Sequence, residues 1–418
     1  MKIRLKSTTF LEAIDYKNIL KLVFSTLIAA VFPFAFEPYF KSIFSPEQFG
    51  AYDIVIKSSA IFATILTVKC EIFIPPSKLD ESQKIYSYIT IFSLISYLFL
   101  LLTTLFLWAI FKANIYMLLA LGLTVGFFIS QNILLTTLFL KKSKINLVTL
   151  QKPIRRITEI IFLIIITSFF STSYLLLVLS ASIGIIVSIT PMLVATFKPK
   201  QILFTESINQ GINLVKKNLT IFVSEILNII SISFVTFFVY FNYDLFQVGI
   251  LELANKIVAI PQILLCGAIA LIIQNKIGDN VSKRIPIRRT AFNFLFLLIA
   301  LSIASCLFIY FFSKIYILSF FDQTWHVSFQ YIKLLLIHLF FFIIFSPMGR
   351  VLYALHSTDS IKKWQFIKSG LIFSSAIFYE LEINSFLTIY SVLSALSYLI
   401  FYYFLNKETL KYDRALNY

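Results

Sequence analysis

Continuous apolar runs recur from end to end of the 418-residue chain, and each is long enough, at about 20 residues, to cross a hydrocarbon core as a helix. The runs do not alternate with polar residues, which excludes a transmembrane β-barrel. Only 13% of residues are charged, and no polar stretch is long enough for a separate soluble domain. The sequence therefore predicts an all-α integral membrane protein.

Twelve membrane spans are predicted from these runs. Their approximate ranges are 18–40, 48–74, 84–111, 114–140, 153–171, 173–197, 214–241, 246–275, 288–313, 325–354, 361–380 and 384–406. The least distinct break is SFFSTS, residues 168–173, between spans five and six.

Lysines and arginines fall almost entirely on one side of these spans. The termini and the loops on their side hold 27 of them, Lys368 included, whereas the opposite loops hold only Lys41, Lys112 and Lys314. Cytoplasmic loops carry such an excess of basic residues. We therefore expect both termini in the cytoplasm, and we attribute the net charge of +16 to topology rather than to nucleic-acid binding.

A short repeat relates the two halves of the chain. Residues 48–57, QFGAYDIVIK, and residues 247–256, QVGILELANK, share the pattern Q-[FV]-G-x-x-[DE]-x-x-x-K at an offset of 199 residues. The copies open spans two and eight, so both run in the same direction. This predicts two six-helix lobes, residues 1–209 and 210–418, related by a pseudo-two-fold axis along the membrane normal.

Each copy holds an acid four residues before a lysine, the favoured order for a helical ion pair: Asp53 with Lys57, and Glu252 with Lys256. A charge in hydrocarbon costs at least about 2.5–3.5 kcal/mol. The pairs are therefore either structural contacts near the outer interface or the lining of an aqueous cleft between spans two and eight. Asn255 shares the face of the second pair and is expected beside it.

Four more polar residues in spans two and seven are predicted to line the same cleft: Lys69, Glu71, Glu225 and Asn228. Glu71 follows Lys57 by 14 residues, about 40° around a continuous helix, so these two are expected to share a face. Glu159 lies near a span end, where we expect a structural or interfacial role.

Motifs of soluble enzymes are absent from the sequence. It contains no G-x-x-x-x-G-K-[ST], H-E-x-x-H, C-x-x-C or G-x-S-x-G. We therefore predict no catalytic residue, no metal site and no bound cofactor. Cys70, Cys266 and Cys306 are expected to be buried thiols. His338 is expected to pack through a hydrogen bond, with a proton-handling role as the alternative.

Four stretches of the chain resemble the Wzx-type polysaccharide flippases, within the multidrug/oligosaccharidyl-lipid/polysaccharide exporter group. They are SPEQFGAY (45–52), KCEIFIPP (69–76), VGILELANKIVAIPQ (248–262) and FFDQTWHVSFQYIKLL (320–335), the last followed by Pro347. Their order and spacing extend the resemblance over nearly the whole chain. The chain departs from the family where Lys69 and Cys70 replace an arginine and an aromatic residue.

The resemblance implies a protein of the bacterial inner membrane that moves an undecaprenyl-diphosphate-linked oligosaccharide, such as an O-antigen unit of lipopolysaccharide, to the outer face. Its implied partners are this substrate, membrane lipids and the polysaccharide polymerase machinery. Lys57 and Lys256 would attract the diphosphate. An H⁺ or Na⁺ gradient, the membrane potential or the use of product outside would supply the energy.

Two other classes stay open. A drug/cation antiporter of the same fold should have an acidic cavity with few lysines, whereas the charges expected here are mixed to basic. A membrane-embedded glycosyltransferase or polymerase should have a large periplasmic loop, and every loop here is short.

Overall fold

The computed structural model describes residues 16–196 and 204–416, and those residues form twelve helical rods and no strand. The first six are α1 Tyr16–Ile43, α2 Pro46–Thr67, α3 Leu79–Phe111, α4 Asn114–Lys141, α5 Ile145–Thr167 and α6 Tyr174–Thr196. The other six are α7 Phe204–Asn242, α8 Leu245–Ser282, α9 Arg288–Phe320, α10 Gln323–Ala354, α11 Thr358–Ser374 and α12 Ile383–Leu416.

The predicted all-α membrane fold is confirmed. Within the described residues, nine helices are long and apolar enough to cross a membrane, and the chain is a multi-pass membrane protein. The other three are α1 and α5, which carry several charged residues, and α11, which has 17 residues. The break predicted at 168–173 is also present, because α5 ends at Thr167 and α6 begins at Tyr174.

Helix α2 is shorter than predicted. It ends at Thr67 because Val68 and Lys69 adopt left-handed backbone conformations, with φ of 48° and 56°. A 3₁₀ turn, Cys70–Phe73, follows. No continuous helix therefore joins Lys57 to Glu71, and the expectation that they share a helix face is wrong.

The helix contacts of the first half recur in the second half between helices whose numbers are higher by six. In the first half α2 packs on α4, α3 on α4, α4 on α6, α5 on α6 and α1 on α5. In the second half α8 packs on α10, α9 on α10, α10 on α12, α11 on α12 and α7 on α11. This agrees with the sequence repeat. The lobe division after residue 209 stays a prediction; that residue lies within α7, and residues 197–203 lie outside the described ranges.

Helices α2 and α8 form the main contact between the halves, and equivalent residues cap both. We call the end that holds the α1–α2 and α7–α8 connections the distal end, and the opposite end the proximal end. Ser45 accepts a hydrogen bond from the backbone N–H of Gln48, and Asp244 accepts one from that of Gln247. Ser45 and Asp244 are also 199 residues apart, so the repeat begins at the helix cap.

Two glycines bring α2 and α8 into backbone contact at the distal end. A Cβ atom on Gly50 would overlap the carbonyl oxygen of Leu245, and one on Gly249 would overlap that of Pro46. Only glycine permits such an approach. Pro46 and Leu245 are again 199 residues apart, so the two contacts are equivalent. The distal ends of α2 and α8 are therefore closed against each other in this structure.

Candidate functional site

A cavity of about 320 Å³ lies between α1, α2, α5, α6 and α8. Its polar wall contains Glu37, Asp53, Lys57, Arg156, Glu159, Glu252, Asn255 and Lys256. Small residues of α1 and α8, including Ala29, Ala30 and Ala259, line the part nearer the proximal end. The cavity is roomy and polar enough to hold water and a small charged group.

Four charges on α1 and α8 form one network in this wall. The Lys41 ammonium lies 2.7 Å from Glu252 Oε2 and 3.7 Å from Glu37 Oε1. The Lys256 ammonium lies 2.5 Å from Glu252 Oε1 and 2.8 Å from Glu37 Oε1. The two carboxylates therefore neutralise the two lysines, which offsets much of the cost of burying all four. The predicted Glu252–Lys256 pair is present within this larger network.

Lys41 is the most deeply buried member, with 1% of its side chain exposed. Its ammonium lies 3.4 Å from the centre of the Phe49 ring and 4.1 Å from that of Trp325. Trp325 also donates its indole N–H to the Lys41 carbonyl oxygen at 3.0 Å. Placing Lys41 in an outer loop was therefore wrong, because α1 continues to Ile43 and its last turn packs between the halves.

Sequence reasoning also missed Glu37. The available signal was the spacing, because Glu37 and Lys41 repeat the acid-to-lysine separation of Glu252 and Lys256. Lys41 lies one residue beyond the predicted end of span one, so the pair was divided between a span and a loop.

The equivalent position on α2 is arranged differently. Asp53 accepts a hydrogen bond at 3.1 Å from Thr236 of α7, and the predicted Asp53–Lys57 ion pair within 4 Å is not formed. Thr236 and Glu37 are 199 residues apart, so threonine stands where the other half has glutamate. Lys57 therefore has no carboxylate at the position where Glu37 binds Lys256 in the other half. Among the described residues no carboxylate oxygen lies within 4 Å of its ammonium.

The α5 wall of the cavity holds a separate pair. Arg156 donates to Glu159 Oε2 at 2.7 Å, and the Tyr52 hydroxyl donates to Glu159 Oε1 at 3.3 Å. Helix α5 begins at Ile145, before the predicted start of span five, so Arg156 lies well inside the helix and not near its first turn. Glu159 makes the structural contact expected of it, but in the cavity wall rather than at an interface.

The other predicted cleft residues lie outside this cavity. Lys69 is 3.7 Å from Glu71 Oε1 and 3.9 Å from Glu225 Oε2, in a cluster at the proximal end of α2. They are separated from the cavity because α2 ends before Lys69. Asn228 Oδ1 accepts a hydrogen bond at 3.3 Å from Lys368 on α11, within the second half.

The sequence matches no family model and no curated protein. Several solved structures share its fold. The lipid II flippase MurJ, in an inward closed conformation, has a TM-score of 0.68 and 16% identity, over 97% of this chain and 90% of that chain.

Two structures of multidrug resistance MATE family transporters of the MOP superfamily are also similar. The inward-facing conformation has a TM-score of 0.62 and 12% identity, over 93% of this chain and 92% of that chain. The outward-facing conformation has a TM-score of 0.59 and 12% identity, over 95% of this chain and 96% of that chain. The protein thus has the fold of these transporters.

Proposed function

We propose that the protein is a Wzx-type flippase that moves undecaprenyl-diphosphate-linked oligosaccharide across the bacterial inner membrane by alternating access. The observation that carries this proposal is the Lys57 ammonium, which lines the cavity with no carboxylate within 4 Å among the described residues. A cation that lines a cavity at membrane depth without an ion-pair contact is suited to an anionic group such as a diphosphate.

The carboxylates of the cavity are already engaged. Glu37 and Glu252 each have a lysine ammonium within 2.8 Å, and Glu159 has Arg156 at 2.7 Å. Asp53 accepts a hydrogen bond from the Thr236 hydroxyl. To bind a cationic drug, the three paired acids would each have to release a lysine or arginine, and Asp53 is only 7% exposed, whereas an anion could approach the partly exposed Lys57 directly. This distribution favours the flippase over the drug/cation antiporter.

The cavity is mixed in charge but not basic. Four carboxylates and three cations line it, and Lys41 lies behind the wall. The expectation of a mixed-to-basic cavity is therefore corrected: the preference for an anion comes from how the charges are paired, not from their sum. Of the two lysines first assigned to the diphosphate, Lys57 is the better candidate because two carboxylates hold Lys256.

A lipid-linked substrate requires a polar path for its head group alone. A diphosphate and its sugars cannot cross hydrocarbon unaided, whereas a polyprenyl chain can remain in lipid. The α2–α8 contact closes the distal side, and the cavity extends from it along the small residues of α1 and α8 towards the proximal end. Opening of that contact would expose Lys57 to the distal side, which the basic residues predict to be outside.

The remaining parts of the proposal follow from the resemblance. The substrate would be an O-antigen or similar surface-polysaccharide unit, delivered to polymerase machinery outside. Both termini would be cytoplasmic, and an H⁺ or Na⁺ gradient would supply energy.

A binding measurement with a matched pair of lipids tests the proposal. Purified protein is titrated with geranylgeranyl diphosphate and with uncharged geranylgeraniol, and thermal stabilisation reports occupancy. We expect stabilisation by the diphosphate at concentrations where the alcohol has no effect. Lys57→Ala should weaken diphosphate binding by about 10- to 100-fold, since a hydrogen bond to a charged group contributes about 1.5–3 kcal/mol. Lys57→Arg should retain part of the affinity.

Lys314→Ala, at an exposed position on α9, is the matched control and should bind as the wild type does. Equal stabilisation by the two lipids, or unchanged affinity in Lys57→Ala, would argue against the proposal. Stabilisation by tetraphenylphosphonium instead of the diphosphate would favour the antiporter. The double variant Glu252→Gln, Lys256→Gln separates the two lysines, because it should keep diphosphate affinity if Lys57 alone holds the anion.

A further inference from the structure

A second intramembrane cation lies in the other half of the molecule. Lys368 on α11 was expected in a cytoplasmic loop, but α11 runs from Thr358 to Ser374 and only 6% of Lys368 is exposed. It lies ten residues into the helix, about 15 Å from its proximal end, and therefore near the middle of the bundle.

The groups that contact this ammonium are neutral in the part of the chain that the structure describes. Its hydrogen-bond acceptor is the neutral Asn228 Oδ1 at 3.3 Å, and the centres of the Trp364 and Tyr398 rings lie 5.5 and 5.9 Å away. No carboxylate of the described residues lies within 4 Å of it. Lys41, equally buried, has two carboxylates within that distance. Lys368 thus differs in kind from the lysine of the distal network.

A second basic side chain, His338, adjoins the same Tyr398 ring. His338 Nδ1 is hydrogen-bonded to Ser394 Oγ at 2.7 Å, which gives it the packing contact expected from sequence. Its ring centre lies 6.2 Å from that of Tyr398, the ring that Lys368 also faces. Both basic side chains therefore adjoin one aromatic ring, and in such apolar surroundings a charge on one disfavours a charge on the other.

Charged and titratable groups on the neighbouring helices are few near Lys368. On α7 the nearest acid by sequence is Glu225, one turn from Asn228; on α10 there are His338 and the exposed Arg350; on α12 there are Tyr390, Tyr398 and Glu408. Glu408 lies at the proximal end, where Ser357 and Ser360 donate to it. Glu225 is 31% exposed, and its Oε2 lies 3.9 Å from the Lys69 ammonium at the proximal end of α2.

We propose that Lys368, beside His338, binds a proton whose presence sets the balance between the distally closed and distally open conformations. In the loaded state Lys368 holds the proton and donates to Asn228. On release the proton passes from Nζ to water, leaving a neutral amine and no buried charge. Uncompensated charge at membrane depth is costly, so a conformation without the Asn228 contact would favour release.

Helix α7 joins this site to the cavity. Asn228 contacts Lys368, and Thr236, two turns further along the same helix, donates to Asp53 on α2. A shift of α7 on loss of the Lys368 contact would therefore reach the α2–α7 contact beside Lys57. The inference rests on the proposed alternating-access function for its biological purpose.

Spin labels at two distal positions provide the test. Glu47→Cys and Phe246→Cys are introduced with the three native cysteines replaced by alanine; the positions are 199 residues apart and adjoin the α2–α8 contact. Double electron–electron resonance then measures their separation between pH 5.5 and 9 without substrate. We expect a short and a long distance whose ratio changes about tenfold over this range, within the usual span of coupling between two sites.

Two substitutions of Lys368 mimic its neutral and its charged form. Lys368→Met should show the high-pH ratio of the wild type at every pH, and Lys368→Arg should show the low-pH ratio. Lys363→Met, at an exposed position on the same helix, should keep the wild-type pH dependence. Exchange of sodium for potassium at constant pH should leave the ratio unchanged.

A pH-independent ratio in the wild type would overturn the inference, as would wild-type pH dependence in either Lys368 variant. If Lys368→Met does not fold, Lys368→Arg alone decides. The spin-label experiment contains no substrate, so a negative result would overturn only the inference about Lys368. The diphosphate titration of the Lys57 variants tests the proposed transport function separately.

Discussion

Gly50 on α2 and Gly249 on α8 occupy equivalent positions of the internal repeat, and each lies against the backbone at the start of the other's helix. The two contacts are related by the same offset of 199 residues that relates the acids and lysines further along these helices. The glycines therefore fix how closely the two halves approach at the distal end, directly beside the charge network.

Alanine at either glycine should weaken distal closure. The added Cβ would overlap a backbone carbonyl oxygen, and overpacking of this kind costs about 1–3 kcal/mol. In the spin-label measurement between positions 47 and 246, Gly50→Ala and Gly249→Ala should each enlarge the long-distance population, by about tenfold for each 1.4 kcal/mol.

Gly278→Ala is the control for this prediction. Gly278 lies on α8, and a Cβ atom there would meet no atom within 4 Å. The spin-label distance distribution of Gly278→Ala should match that of the wild type. Unchanged distributions in both Gly50→Ala and Gly249→Ala would show that the glycine contacts do not hold the distal end closed.

Removal of Lys41 should destabilise the protein strongly. Lys41→Met leaves Glu37 and Glu252 with Lys256 alone, and an unpaired buried charge costs about 3–5 kcal/mol. The double variant Lys41→Met, Glu252→Gln keeps the Glu37–Lys256 pair, so it should recover most of the loss. Thermal unfolding in detergent measures both, with Lys314→Met as the exposed control.

A double variant no more stable than Lys41→Met would contradict this account of the network. It would indicate that Lys41 acts through its packing against Phe49 and Trp325 rather than through charge.

Much of the architecture could be predicted because hydrophobic runs and repeats are local in sequence. The apolar runs set the approximate helix positions, and the pattern at Gln48 and Gln247 identified the helices that meet between the halves. Helix α2 could not be delimited in this way. Val68 and Lys69 end it with left-handed conformations, and neither residue type signals such a turn.

The candidate site was predictable only in part, because it depends on contacts between distant segments. Asp53, Lys57, Glu252, Asn255 and Lys256 do line the cavity. Their partners could not be read from sequence: Glu37 and Lys41 come from α1, and Thr236 comes from α7. Lys368 was misplaced for a similar reason, since a lysine near a predicted span edge is ordinarily a loop residue.

A carboxylate at position 236 should block the anion site while leaving Lys57 in place. Thr236 is the counterpart of Glu37, so Thr236→Glu would give Lys57 the partner that Lys256 already has. We expect diphosphate affinity to fall about as far as in Lys57→Ala, because the cation would then be compensated. The titration with geranylgeranyl diphosphate measures this.

Thr236→Gln is the matched neutral control and should bind the diphosphate far better than Thr236→Glu does. Equal affinities for the two variants would indicate that position 236 acts through its size or its hydrogen bond to Asp53, and not through charge beside Lys57.

Labelling beside Lys57 tests alternating access most directly. Ile56, adjacent to Lys57 and in the cavity wall, is changed to cysteine in the variant that lacks native cysteines. A membrane-impermeant maleimide is then added to one face at a time, in vesicles of known orientation. The account predicts labelling from each face, and slower labelling from both when geranylgeranyl diphosphate is bound. Labelling from one face only, under every condition, would contradict it.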